Sequence, residues 1–254
     1  MRTLIHKPEI SRIDFLDNRF YLYKDKNGEQ YFPSCTEILS VYPKGFGFDQ
    51  WLKDVGSNAS LIAEQAADIG TKIHHAAEIL NEGQELKWCG ESGTPEYSIH
   101  EWQMILKYDE FWKKCKPKLI ANERQMCSPE LKFGGTLDMV VMIGSKRWLL
   151  DIKTSNYLHK SHELQLSAYA TLWNQFNTDE PIEETGIIWL KATTRTEKID
   201  VDKNTFQGHG WQIKTFDRHY LDSFKIFLHV QAIWQEENPK YLPANKIYPD
   251  KIKL

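Results

Sequence analysis

The sequence predicts an α/β domain, a sheet core with helices around it and a helical elaboration on its N-terminal side. Three observations predict this class. Apolar residues recur at helical spacing over residues 59–114, and from Leu119 they gather instead into short β-type runs separated by turns. After those runs come a helical segment, two more β-type runs and a last amphipathic helix. The chain has 254 residues, 41% of them hydrophobic and 26% charged, which is enough for one large core and outside the disordered range. No charge run or Pro/Gly tract marks a linker, so residues 1–254 read as a single domain. A hairpin and helical region covers 1–118, a sheet core 119–216, and a C-terminal helix and tail 217–254.

The elements follow in order. Asn27-Gly28 lies between the aromatic-rich arms of residues 20–32 and predicts a hairpin. Ser34 is a capping hydroxyl ahead of Cys35-Thr36-Glu37-Ile38-Leu39, where a helix should start. Ala59 to Gly83 carries Leu61, Ile62, Ile69, Ile73, Ala76, Ala77 and Leu80 broadly at helical spacing, and Ser98 to Lys114 repeats the pattern. Three strands are expected next, at Leu119–Glu123, Gly135–Ile143 and Trp148–Thr154. The turn Gly144-Ser145-Lys146 makes the last two an antiparallel hairpin at the centre of the sheet. A helix over Ser161–Phe176, strands over Ile187–Ala192 and Gly210–Phe216, and a helix over Arg218–Gln235 complete the chain. Trp88, Trp102, Trp189, Trp211 and Trp234 read as core.

Composition excludes several classes. No run of about 18 apolar residues exists to cross a membrane, and Met1–Lys7 lacks a leader's apolar centre, which predicts a soluble cytoplasmic protein with no membrane partner. Cys35, Cys89, Cys115 and Cys127 form no C-x-x-C pair, so neither a zinc knuckle nor a disulfide framework is expected. The net charge of −3 argues against coating nucleic acid by bulk electrostatics. Charge is nonetheless uneven: residues 103–160 hold 11 basic against 6 acidic side chains, and 61–101 hold 2 against 8. No phosphate-binding Gly-x-x-x-x-Gly-Lys-Ser/Thr loop occurs, so any motor would be a separate chain.

The chemistry concentrates on two strands. Asp138 follows a Gly-Gly-Thr-Leu segment read as a turn, and Asp151 and Lys153 interrupt the next apolar strand two residues apart, on one face. Buried charges are costly unless paired or metal-bound. Carboxylates suit Mg²⁺ or Mn²⁺, and a neighbouring ammonium can stabilise charge growing on a phosphate.

Asp138 followed by Asp151-Ile152-Lys153 resembles the core signature of the PD-(D/E)xK nuclease superfamily. Gly70-Thr71-Lys72-Ile73-His74 resembles the Gly-Thr-x-x-His motif of its RecB-like branch, and Gln165-Leu166-Ser167-Ala168-Tyr169 resembles the branch's Gln-x-x-x-Tyr motif. Phe32-Pro33-Ser34-Cys35-Thr36-Glu37-Ile38-Leu39 is similar to the opening of phage exonucleases and of the mitochondrial genome maintenance exonuclease. The resemblance spans residues 32–173 with all motifs in family order. It implies a restriction-endonuclease-like fold, a central mixed sheet flanked by helices.

The resemblance further implies a DNA exonuclease that leaves a 5′-phosphate, in phage-type recombination, repair or processing. His74, Asp138, Asp151 and the Ile152 carbonyl would ligate Mg²⁺ or Mn²⁺, Lys153 would serve catalysis, and Gln165 and Tyr169 would organise the site. An imidazole ligand favours Mn²⁺ relative to an all-oxygen site. No iron–sulfur cluster is expected, because no Cys follows Tyr169. Single-stranded DNA is the preferred substrate, with a recombination or single-strand-binding protein as a separate partner. A double-strand 5′–3′ exonuclease and a non-catalytic DNA-binding module are the alternatives. On this reading Asp151→Ala or Lys153→Ala removes cleavage and leaves the melting temperature near the parent's.

Other residues carry weaker signals. Glu123 is a candidate acid that would either hydrogen-bond a metal ligand or bind a second metal. Glu78, one turn after His74, either orients the imidazole or is a surface charge. Lys113, Lys114, Lys116 and Lys118, beside Phe111 and Trp112, suggest a DNA path or a solvated helix end. Lys191 and Arg195 are further DNA-contact candidates.

Overall fold

The computed structural model describes residues 8–16, 18–248 and 251–252, and the leader reading of residues 1–7 falls outside them. The chain forms two sheets with helices on both sides of the larger one. Strands β1 (Glu9–Phe15), β2 (Asn18–Asp25) and β3 (Gly28–Pro33) pair antiparallel in chain order. The expected hairpin is β2–β3, with its turn on Lys26-Asn27 and Gly28, at φ 121°, already paired with Asp25. Strand β1 escapes sequence reading because it is an edge strand with no fully buried position, so its apolar residues keep no strict alternation.

Four helices follow. In α1 (Cys35–Ile38) the Ser34 Oγ accepts the Glu37 N–H at 3.0 Å, as the capping hydroxyl predicts, but the helix lasts only one turn. Helices α2 (Phe46–Val55) and α3 (Ala59–Asn81) form an arm, and residues 60–68 of α3 are exposed all round. Helix α4 (Ile99–Cys115) starts with a full capping box: Glu101 N–H donates to Ser98 Oγ, and Ser98 N–H donates to Glu101 Oε2.

The central sheet has seven strands in the order β4-β5-β6-β7-β10-β9-β8. They are β4 (Lys118–Ser128), β5 (Phe133–Ile143), β6 (Lys146–Lys153), β7 (Glu184–Trp189), β8 (Lys198–Asp200), β9 (Thr205–Gly208) and β10 (Trp211–Lys214). Only β6–β7 is parallel, and α5 (Lys160–Phe176) makes that crossover. Helices α3 and α4 cover one face, over Met139, Val141, Trp148, Leu150 and Ile152. Helices α5 and α6 (Tyr220–Glu237) cover the other, over Val140, Leu149 and Ile187. No helix among the described residues is long and apolar enough to cross a membrane.

Several sequence expectations need correction. Strand β4 runs five residues beyond Glu123, because a bulge at Ile120 and a left-handed Glu123 (φ 44°) break the alternation that would have revealed it. Strand β5 starts at Phe133, two residues before the expected Gly135, so the Gly134-Gly135-Thr136-Leu137 segment is extended strand and not a turn. Its glycines allow close approach: a Cβ on Gly134 would sit 2.4 Å from the Tyr21 ring, and one on Gly135 2.3 Å from the Tyr169 ring. Strand β7 ends at Trp189 rather than Ala192, and the short β8 and β9 carry no sequence signal. Trp88 is 40% exposed, stacked on Trp102 instead of buried.

Candidate functional site

The site forms where β5 and β6 part. Their last paired residues toward this end are Met139 and Leu150, while β6 continues along β7 through Lys153. Ile152 N–H therefore has no ladder partner on β5 and donates instead to Asp138 Oδ2, at 2.7 Å. The gap opens a cavity of about 430 Å³ lined by His74, Glu123, Asp138, Asp151 and Lys153, among others. Elements from both faces of the sheet reach it: α3 brings His74, and α5 brings Gln165 and Tyr169.

His74 Nε2 donates to the Ile152 carbonyl at 3.0 Å, and its Nδ1 lies 3.4 Å from Asp138 Oδ2. Burial alone would push the imidazole down, but the adjacent Asp138 carboxylate overrides it and lifts His74 to about 9. Burial would raise Asp138, and the His74 and Lys153 charges together with the Ile152 N–H hold it below its usual range instead. Burial and the nearby Asp138 raise Asp151 to about 6 despite Lys153, and the same two causes raise Glu123 to about 7. His74 and Lys153 thus stand among the three carboxylates Glu123, Asp138 and Asp151 in one cavity, a set of donors that could hold a cation.

The donor geometry fits a hard divalent cation. Ligand atoms of His74, Glu123 and Asp138 lie within 4.8 Å of one another. Asp151 Oδ2 is buried without a hydrogen-bond donor: Lys153 Nζ is 2.6 Å away, close enough to pair but off the direction of a hydrogen bond. Its buried charge is met by the Lys153 ammonium, and the oxygen keeps lone-pair capacity for a further ligand. The converging set differs from the family-implied one: Glu123 takes part, whereas Asp151 stands outside it and the Ile152 carbonyl accepts from His74 Nε2. Asn122 pairs with Met139 and Arg124 with Leu137, so Glu123 stands opposite Asp138, and its left-handed backbone belongs to this site.

Further groups hold the wall in place. Tyr108 OH donates to Asn81 Oδ1 (2.6 Å), Asn81 Nδ2 to Asn122 Oδ1 (2.8 Å) and Asn122 Nδ2 to the Glu78 carbonyl (3.4 Å). This chain ties α3 to β4 beside Glu123, and sequence reading misses it because its members come from three distant segments. Gln165 Nε2 donates to Tyr169 OH at 3.3 Å, so the two stand together on α5 as their spacing predicts. Tyr21 OH and Thr136 Oγ1 share a hydrogen bond of 2.8 Å, which brings the N-terminal sheet to the cavity with Arg12 and Arg19 at its edge.

Not every candidate arrives. Glu78 lines the cavity, but its carboxylate meets His75 Nδ1 at 3.3 Å and does not orient His74. Lys113 pairs with Asp109, and Lys114 with Glu110 and Glu197, at the sheet end opposite Lys153, because Lys118 pairs with Met142 at the far end of β5. Lys116 closes α4 in a left-handed conformation at that same end, and Phe111 is fully buried. The basic run therefore lies at the far end of the sheet from the cavity. Lys191 lies on the site's side, its Nζ 3.2 Å from Asn156 Oδ1, whereas Arg195 is exposed and outside the cavity lining.

No family model matches the chain, and no curated protein matches it in sequence.

Proposed function

We propose that this protein is a divalent-cation-dependent nuclease that hydrolyses DNA phosphodiester bonds as an exonuclease, with single strands preferred. The reading assigns the sheet and its helices to the restriction-endonuclease-like core and the chain to the RecB-like branch of the PD-(D/E)xK superfamily. The observation that carries it is the convergence of His74, Glu123 and Asp138 beside the Asp151–Lys153 ion pair, in one open cavity. A phage-type role in recombination or repair belongs to the same proposal.

His74, Asp138 and Glu123 would hold the ion, with Asp151 beside them. Bound there, Mg²⁺ or Mn²⁺ supplies Lewis-acid activation of water and neutralises phosphate charge. Lys153 contributes a fixed positive charge. Held next to Asp151 in a mostly buried position, it faces a phosphate in the cavity and stabilises negative charge that grows there during displacement. Asp138 fixes the end of β6 through the Ile152 N–H, so the Asp151–Lys153 pair is preorganised before substrate arrives. Gln165 and Tyr169 form the α5 wall and limit water behind the phosphate.

End-labelled single-stranded, duplex and circular DNA should be incubated with Mg²⁺, Mn²⁺ or EDTA, beside Asp151→Asn. The expected result is cation-dependent loss of linear single strands, with circles spared and the variant inert. Cutting of circles would mean an endonuclease, and faster loss of blunt duplex would mean the double-strand enzyme. No cleavage of any substrate would refute the enzyme reading in favour of a DNA-binding module.

A further inference from the structure

A second cavity, of about 840 Å³, adjoins the first and is not used by the chemistry above. One wall is the exposed arm: Phe46, Phe48 and Trp51 of α2 with Ile62, Ala63, Ala66 and Ile69 of α3. The other is the loop after β6, Thr154 to His159, with Lys191. Trp189 Nε1 anchors this loop by donating to the Ser155 carbonyl at 2.8 Å. The two cavities are neighbours by chain position. Gly70 and Lys153 line the first, while Ile69 and Thr154, next to them in sequence, line the second. A Cβ on Gly70 would lie 3.6 Å from Thr154 Oγ1, so α3 crosses the strand end closely there.

The lining has an unusual make-up. Phe46 and Tyr157 are 78% and 77% exposed, far more than packing requires, and stand on opposite walls, with Trp51 part-buried on the Phe46 wall. Lys44, Lys191 and His159 flank them against a single acid, Asp54, which is held by Gln50 Nε2 at 2.9 Å. Lys44 Nζ sits 4.4 Å over the Phe48 ring, so that ring carries a cation and is not free to stack. Flat aromatic faces between cations, beside the first cavity, match an anionic chain with flat apolar side groups.

We propose that this groove takes the unstacked bases of a single DNA strand, stacked on Phe46, Trp51 and Tyr157, as the strand's backbone leads to the catalytic cavity. The inference rests on the nuclease reading and deepens it by giving the single-strand preference a physical seat: paired bases have no free faces to offer such a groove.

The test is binding in EDTA, which needs no cleavage. An oligothymidine and an abasic deoxyribose-phosphate chain of equal length and charge are titrated against the parent and against Phe46→Ala/Tyr157→Ala, whose two exposed positions leave the core untouched. The parent should bind the oligothymidine at least about fivefold more tightly than the abasic chain, and the double variant should lose that preference. Equal binding of the two chains by the parent, or a preference kept in the variant, would overturn the proposal. Binding of neither chain would overturn it too, and would leave the patch as a protein-docking face. The nuclease reading fails on a different result, absence of cation-dependent cleavage, so the two can fail separately.

Discussion

At Lys153 the structure changes what a simple mutation should do. Its ammonium lies 2.6 Å from a buried Asp151 oxygen, with side chains 19% and 4% exposed. Lys153→Ala therefore removes the closest positive charge from Asp151 and should cost up to about 3 kcal/mol of stability as well as activity. The sequence-based expectation of an unchanged melting temperature is replaced by this one, and thermal melts of Lys153→Ala in EDTA check it. Asp151→Asn keeps the shape and removes the charge, so its lost activity reads the chemistry more cleanly. Glu123→Gln should weaken Mn²⁺ binding about 10- to 100-fold, measured by calorimetry, because Glu123 converges with His74 and Asp138. Unchanged affinity would remove Glu123 from the ligand set.

Among elements, α3 matters most, because it carries His74 and its position depends on the Tyr108–Asn81–Asn122 chain. Asn81→Ala leaves Tyr108 OH and Asn122 Oδ1 without these partners and should cost about 1–3 kcal/mol, read by denaturant unfolding. It should also lower cation affinity, since His74 then loses its fixed distance from Glu123. Strand β5 depends on its glycines in the same way. Gly135→Ala pushes a methyl into the Tyr169 ring and should cost about 1–3 kcal/mol while displacing the Gln165–Tyr169 pair. Wild-type stability in that variant would mean that the ring moves aside freely.

For the whole molecule, the site's charges make stability depend on pH and cation together. Without a cation, folding raises Glu123 from 4.5 to about 7, Asp151 from 3.8 to about 6 and His74 from 6.5 to about 9. In each interval the folded state holds more protons than the unfolded, so stability falls as pH rises from about 4 to 9. Asp138 runs the other way, since its lowered value adds stability above its usual range. A bound cation replaces those protons. The rise in melting temperature on adding Mn²⁺ over EDTA should therefore be larger at pH 8 than at pH 5. An increment independent of pH would mean that the ion binds elsewhere.

Local pattern determined much of this protein. The caps at Ser34 and Ser98, the helical faces of 59–81 and 99–115, the β5–β6 hairpin and the four-residue spacing of Gln165 and Tyr169 are short-range features, fixed by neighbours a few residues apart. Asp138, Asp151 and Lys153 were also legible, because charges inside apolar runs stand out, whereas His74 was marked only by the resemblance of Gly70–His74 to a family motif. Only the tertiary structure decided the rest. Glu123 joins the site through a left-handed residue whose register is set by β5, and Gly134 and Gly135 serve rings that arrive from β2 and α5. The basic run at 113–118 lands at the wrong end of the sheet because β4 runs antiparallel to β5. A chain's own periodicity carries no information on which distant segment will pack against it, and the site's last carboxylate, its supports and its second groove are all made by such meetings.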